Sequence, residues 1–232
     1  MSRQARIVIP GMPHHVAQVG NNRQDVFFGD EDRVTYLELF REQCKKYGVR
    51  VLGYCLLPNH VHFVAVPARE DSLNLAVGRT HLKYAQYINR LYDRSGHLWQ
   101  GRFQSCALDD AYTVAAMRYI ESNPVRAKIT RVPWTYRWSS AAAHCGAPDT
   151  SGLLDLRMWK SYVKGTIWKD VIAQQDEEEA LIALRRNTQT GYPLGHASVI
   201  GRLERALDRR LRPQPVGRPR KEAPKPEKRT RK

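Results

Sequence analysis

Two histidines, His60 and His62, are the residues whose spacing most directly suggests chemistry. They stand where the second of two short apolar runs begins, and these runs, 51–57 and 61–66, are separated by the turn-forming pair Pro58-Asn59. Side chains alternate along a strand, so both imidazoles are expected on one face. Neutral imidazoles placed in this way are able to bind a metal ion, although surface pairs and hydrogen-bonded structural pairs have the same spacing. Two ligands do not complete a metal site, so the chain has to supply a third.

Tyr119 and Asn123, one helical turn apart, offer a nucleophile and that third ligand. They lie on or just after a predicted helix from about residue 111 to 122, which Asp109-Asp110 caps and Pro124 helps to end. Residues four apart lie above one another on a helix surface, so a helix docked on the strands would bring both side chains near the histidines. The alternative is a half-buried core tyrosine followed by a helix-terminal asparagine.

The other hydrophobic patterns supply the elements that must position these side chains. In chain order they predict strand 14–19, helix 30–48, strands 51–57 and 61–66, a helix from Asp71-Ser72 to Leu91, a strand in the second half of 96–108, and helix 111–122. The βαββαβα order resembles a ferredoxin-like sandwich, an antiparallel sheet with helices on one face, so the predicted fold class is α+β. The second helix is predicted to bury Leu91 and to expose His81 on a basic face.

The composition indicates the class of partner. The 232 residues carry a formal net charge of +15, which favours a polyanion, most simply nucleic acid. The four cysteines form no CxxC pair, so a zinc ribbon is disfavoured and buried, reduced thiols are expected. The sequence shows no apolar run of membrane-spanning length and no signal peptide, so a cytoplasmic, nucleoid-associated protein is predicted.

Aromatic residues beside a cation, Trp99, Arg102 and Phe103, have the composition of a platform on which single-stranded bases stack. Ordinary core aromatics give the same local pattern, and the sequence does not separate the two interpretations.

Together these residues resemble the REP-associated tyrosine transposases, bacterial relatives of the insertion-sequence single-strand transposases. His60-Val61-His62 matches the His–hydrophobic–His motif of enzymes with one catalytic tyrosine, and 118–127 matches their tyrosine helix. The other segments that carry the resemblance are 14–16 with 20–24, 54–62, 97–103 and 138–140, and a weaker similarity continues through 185–195. The sequence departs from the family at Val19, where relatives often have Arg, and at Lys128, where Gly is common.

The resemblance implies a single-tyrosine transposase domain that uses Mg²⁺ or Mn²⁺. His60, His62 and Asn123 would be the metal ligands, and Tyr119 would be the nucleophile that forms a 5′-phosphotyrosine. The implied substrate is single-stranded DNA folded into the imperfect hairpins of repetitive extragenic palindromes, bound by a monomer or homodimer. The candidate DNA contacts are Trp99, Arg102, Phe103, Arg126, Arg218 and Arg220.

The carboxy-terminal third is predicted to be separate from the catalytic domain, which spans 1–140. Region 141–211 is predicted to be helical and is a candidate DNA-binding module of the helix-turn-helix type. Segment 212–232 is predicted to be a disordered basic tail. Its Gly217-Arg218-Pro219 resembles the core of an AT-hook, whereas a generic basic tail would attract phosphates without base selectivity.

Three functions are weighed: a tyrosine nuclease and strand transferase, a non-catalytic DNA-binding regulator that retains the fold, and a zinc-dependent hydrolase. The last lacks a third good zinc ligand and a nearby Glu base. A protein that only binds DNA needs neither the histidine pair nor the tyrosine, so the sequence favours the enzyme.

Overall fold

A four-stranded antiparallel sheet forms the centre of the structure, a computed structural model that describes residues 6–174 and 177–213. The strands are β1 (His14–Val19), β2 (Val49–Leu57), β3 (His60–Pro67) and β4 (Gln104–Ala107). Their spatial order is β2-β3-β1-β4, and every neighbouring pair is antiparallel. This order confirms the predicted α+β, ferredoxin-like architecture.

Two helices, α1 (Asp30–Tyr47) and α2 (Ser72–Leu91), cover one face of the sheet. Phe63 of β3 points to this face, where its ring centroid lies 4.2 Å from that of Phe40 on α1. Both rings are fully buried, which explains why β3 is apolar at alternate positions on this side. The predicted faces of α2 were partly wrong, because Leu91 is exposed and His81 is buried.

The opposite face is covered by α3 (Asp110–Glu121) and α8 (Glu178–Thr190). His62 precedes Phe63 on β3 and therefore points to this second face. The prediction of helices on one face describes α1 and α2, and α3 and α8 add a layer on the other side. The remaining helices are α4 (Asn123–Arg126), α5 (Ala141–His144), α6 (Leu156–Tyr162), α7 (Trp168–Ala173) and α9 (Ala197–Leu207).

The carboxy-terminal helices share the core of the sheet. Trp159 of α6, Trp168 of α7 and Leu184 of α8 belong to the same buried cluster as the strands. Helix α8 packs along β4, and the chain after it adds a parallel bridge between Leu108 and Leu194. The boundary predicted at residue 140 therefore does not separate two hydrophobic cores in the described part of the chain.

The predicted basic tail lies almost entirely outside the described residues. Arg218, Arg220 and the AT-hook-like segment all belong to the stretch after residue 213, so their predicted roles stay predictions. Within 6–174 and 177–213, none of the helices is both long and apolar enough to cross a membrane.

Gly20 holds the end of β1 against the turn that leads into His60. Its backbone N–H donates to the Asn59 carbonyl oxygen at 2.8 Å. A Cβ atom at this position would lie 2.2 Å from the Gln24 carbonyl oxygen and 2.7 Å from a methyl group of Val26. Because one of these neighbours is backbone, the chain has to shift to accommodate any side chain here.

Gly20→Ala should lower the free energy of unfolding by about 1–3 kcal/mol, the usual effect of overpacking. Gly78→Ala is the matched control, since Gly78 lies inside α2 and a Cβ there meets nothing within 4 Å. It should raise the free energy of unfolding by about 0.5–1 kcal/mol by restricting the unfolded chain. Denaturant titration of both variants checks this, and equal stabilities would contradict it.

Candidate active site

An open cleft of about 670 Å³ lies where β1, β3 and β4 meet α3 and α8. The structure brings four of the candidate site residues, His60, His62, Arg102 and Tyr119, into its lining. The ring centroids of His60 and His62 are 5.0 Å apart, and the rings are nearly perpendicular. The Tyr119 ring lies edge-on to His62 with the centroids 5.5 Å apart. The strand alternation and the docking of α3 on this face account for the arrangement.

His60 has a defined hydrogen-bonding state. Its Nδ1 lies 2.6 Å from the Asn59 side-chain oxygen. The Asn59 carboxamide is oriented by its own nitrogen, which donates to the Arg23 carbonyl oxygen at 3.0 Å. The Asn59 oxygen can only accept, so His60 carries its proton on Nδ1 and keeps the lone pair on Nε2.

His15 of β1 is a site residue that sequence reasoning missed. Its Nε2 lies 3.0 Å from Nδ1 of His62, and the two ring planes are nearly parallel, at 10° to each other. Its other nitrogen, Nδ1, lies 2.7 Å from the Thr188 hydroxyl oxygen of α8. The sequence offered only the His14-His15 pair, and strand alternation did not say which of the two faces the histidine motif.

Burial keeps these imidazoles neutral. It lowers the pKa of His15 to about 3 and the pKa of His60 to about 4, where the nearby Arg23 adds a smaller effect. Burial, followed by the neighbouring His15, holds the pKa of His62 well below its usual range. At neutral pH each ring therefore retains a lone pair with which to accept a hydrogen bond or bind a metal.

Two guanidinium groups lie over the Tyr119 ring, at 4.4 Å from its centroid for Arg126 and 5.4 Å for Arg185. Arg126 also donates to the Tyr119 carbonyl oxygen. The cleft thus combines a potential nucleophile, Tyr119, with neutral imidazoles and with arginines, which form strong hydrogen bonds to phosphate oxygens.

The sequence was compared with models of known protein families. A family model described as "Transposase IS200 like" matches residues 9–123. Over these residues the chain belongs to the IS200-like transposase family. No curated protein matches the sequence.

Two solved structures extend the comparison. A REP-associated tyrosine transposase bound to a REP hairpin is 17% identical, with a TM-score of 0.53 over 67% of this chain and 90% of that chain. A second structure, from Deinococcus radiodurans R1 and described as a transposase, is 16% identical, with a TM-score of 0.37 over 52% of this chain and 97% of the other. The first of these shows that the transposase domain has the fold of that protein.

Asn123, unlike His60 and His62, does not line the cleft. It is the first residue of α4, and it is buried. Its side-chain nitrogen has no hydrogen-bond partner. Within 6–174 and 177–213, no group of three or more His, Cys, Asp and Glu side chains is placed to hold a metal. An amide oxygen is not in that class, so Asn123 stays a predicted ligand.

Trp99, a candidate for the stacking platform, lies in the core. Its indole is buried, lies parallel to the His81 ring with the centroids 4.3 Å apart, and donates to the His81 carbonyl oxygen. Phe103 is also buried and is covered by the Arg6 guanidinium, 3.6 Å from the ring centroid. Both rings therefore serve the core, whereas the exposed Arg102 lines the cleft.

A buried carboxylate anchors the end of α3 two residues beyond Tyr119. Glu121 is fully buried and accepts hydrogen bonds from the Ser140 hydroxyl and, at 2.7 Å, from the Trp168 indole. Nδ1 of His144 lies 2.6 Å from the same carboxylate. These contacts tie α3 to α5 and α7, so the carboxy-terminal helices help to fix where Tyr119 stands.

Glu121→Ala should lower the free energy of unfolding by more than about 2 kcal/mol, because buried donors on Ser140 and Trp168 lose their acceptor. Glu38→Ala, which removes an exposed carboxylate from α1, is the control and should leave stability nearly unchanged. Thermal melts of both variants test this. A Glu121→Ala protein with the same melting temperature as the wild type would show that the contacts of Glu121 do not anchor α3.

Proposed function

We propose that the transposase domain cleaves and rejoins single-stranded, hairpin-forming DNA through a phosphotyrosine at Tyr119. The observation that carries this proposal is the position of the Tyr119 ring, which lies in the cleft against His15 and His62 with two arginines over it. A phenol in such a place has access to a phosphate that the cleft holds.

The chemistry is a transesterification. The Tyr119 oxygen attacks phosphorus, a phosphorus–tyrosine oxygen bond forms, and the bond from phosphorus to the 3′-oxygen breaks. The phenol proton leaves the tyrosine, and the departing 3′-oxygen takes up a proton to become a hydroxyl. The phosphotyrosine preserves the energy of the phosphodiester, so attack by another 3′-hydroxyl reverses the step and joins strands without nucleotide hydrolysis.

The electrostatics of the cleft favour a phosphate. Its lining includes the side chains of Arg23, Arg102 and Arg185, and none of the described residues that line it is Asp or Glu. Arginine forms strong, charge-assisted hydrogen bonds with phosphate oxygens. An anionic backbone therefore meets positive charge on entering the cleft and no carboxylate that repels it.

The residues present also fit a divalent cation. His60 has its lone pair on Nε2, and His62 is neutral and next to it on the same strand face. Two imidazoles and one amide oxygen would form a sparse ligand set that leaves room for a phosphate oxygen. Mg²⁺ or Mn²⁺ bound there would neutralise charge on the scissile phosphate and orient it. The support from Asn123 is that its buried side-chain nitrogen has no hydrogen-bond partner. Rotating the carboxamide by half a turn would exchange its nitrogen and oxygen and place the oxygen there as a ligand.

The proposal of a hairpin substrate is supported by the solved relative, which is described as bound to a REP hairpin. The net charge of +15 adds a general attraction for nucleic acid.

Tyr119→Phe should abolish covalent attachment to a labelled single-stranded hairpin oligonucleotide and leave hairpin binding nearly unchanged, since only the nucleophilic oxygen is lost. Tyr112→Phe, a change on the same helix away from the cleft, should retain attachment. A denaturing gel for the adduct and a binding titration at one salt concentration provide the two measurements. Equal loss of attachment in both variants, or an adduct in Tyr119→Phe, would refute the role of Tyr119. Tight binding without any adduct in the wild type would favour a DNA-binding regulator.

Metal removal should abolish the same adduct, and added Mn²⁺ should restore it. Asn123→Ala should raise the Mn²⁺ concentration needed for half-maximal attachment at least about 10-fold, because a ligand is lost. Asn74→Ala, on the exposed surface of α2, is the matched control and should not change it. An adduct that forms fully in chelator would eliminate the metal, and an unchanged Mn²⁺ requirement in Asn123→Ala would eliminate Asn123 as a ligand.

A further inference from the structure

The Thr188 hydroxyl has only one proton, and its surroundings show where that proton goes. The hydroxyl lies 2.7 Å from the carbonyl oxygen of Leu184, one turn earlier on α8. A carbonyl oxygen can only accept, so the hydroxyl donates there. Toward every other neighbour the Thr188 oxygen is an acceptor.

This assignment determines the protonation of His15. Its Nδ1 is 2.7 Å from the Thr188 oxygen, so Nδ1 carries a hydrogen and donates it. Both ring nitrogens of His15 are occupied, one by Thr188 and the other by His62, so no carboxylate is there to balance a charged ring. The ring is almost completely buried, and an unpaired charge in such a place is strongly disfavoured. Neutral His15 therefore has its lone pair on Nε2.

The tautomer of His15 determines that of His62. Nε2 of His15 lies 3.0 Å from Nδ1 of His62 and can only accept. His62 must donate from Nδ1, which leaves the lone pair on its Nε2. The result is the tautomer that Asn59 imposes on His60, reached through a different set of residues.

We infer that Thr188, acting through His15, is a positioning residue that holds His62 in the Nδ1–H tautomer and so presents its Nε2 as a metal ligand. The inference deepens the proposed function, since it rests on His62 being a ligand. It gives α8 a part in the site and provides a role for the 185–195 segment whose similarity to the family was weak. Outer partners of this kind orient a ligating histidine and raise its basicity.

Cys106 of β4 fits the same arrangement. Its sulfur lies 3.4 Å from the Thr188 oxygen, and burial raises the pKa of its thiol to about 12. A thiol that keeps its proton can donate to the Thr188 oxygen, which accepts from His15 as well. Thr188 then has one donated and two accepted hydrogen bonds.

The first measurement is made on the metal-free full chain labelled with ¹⁵N-histidine. Long-range proton–nitrogen correlations distinguish Nδ1–H from Nε2–H rings, and a His62→Gln variant identifies the His62 signals. The inference expects an Nδ1–H ring at His62 in the wild type and in Thr188→Ser, and a mixture of tautomers in Thr188→Val. An Nε2–H ring at His62 in the wild type, or an unchanged tautomer in a folded Thr188→Val, would overturn it. Should Thr188→Val not fold, the wild-type spectrum still decides the tautomer, and Thr188→Ser against Thr188→Ala replaces the comparison.

The second measurement is Mn²⁺ affinity without DNA, by isothermal titration calorimetry. Thr188→Val should bind Mn²⁺ about 10- to 100-fold more weakly, and Thr188→Ser should restore near-wild-type affinity. Thr190→Val is the matched control. The Thr190 hydroxyl also donates to a carbonyl oxygen one turn earlier, that of Arg186, but it does not bond to a histidine. Equal affinities of the Val and Ser variants at 188 would overturn the inference. A wild type that binds no Mn²⁺ would refute the metal part of the proposed function, while the tautomer at His62 would still be decided by the first measurement.

Discussion

The antiparallel register between β1 and β3 is the constraint on which both the core and the cleft depend. Ala17 pairs with His62 and His15 pairs with Val64, so the two imidazoles lie diagonally on the same face. A slip of one residue would turn every side chain of a strand to the other face of the sheet. Such a slip is opposed from both sides, because β3 also buries Phe63 against α1. The packing that stabilises the sheet therefore specifies the site.

Burial gives the cleft its chemical character. Burial lowers the pKa of His15 and of His62, which keeps these rings neutral. The positive charges at the cleft belong to Arg23, Arg102 and Arg185. Neutral imidazoles beside positively charged arginines suit an anion that arrives with a partly hydrated cation. The fold thus separates the groups that could bind metal from the groups that could bind phosphate, although both open into one space.

Local sequence patterns predicted the parts of the fold and site that have local causes. The two-residue period of 61–66 put His60 and His62 on one face, and the helical period put Tyr119 on an element that docks there. The His15–His62 and His15–Thr188 contacts join residues 47 and 173 positions apart, and no nearby pattern marks such partners. The sequence left the role of Trp99 open for a related reason, since an aromatic residue near a cation has the same local sequence whether a base or His81 covers its ring. The packing of later helices on the sheet was not predicted either, because apolar stripes on these helices do not reveal which surface they cover.

The packing of α8 on β4 and β1 has a consequence for the order in which a ribosome completes this protein. All four strands and Tyr119 have been synthesised by residue 119, yet the helix that covers His15 and Cys106 begins only at Glu178. At about 5–20 residues per second, several seconds of translation separate the two. During that interval the sides of His15 and Cys106 that Thr188 contacts have no partner from α8. Until α8 has been synthesised, Nδ1 of His15 lacks its Thr188 partner, so the histidine arrangement of the cleft is completed late in synthesis.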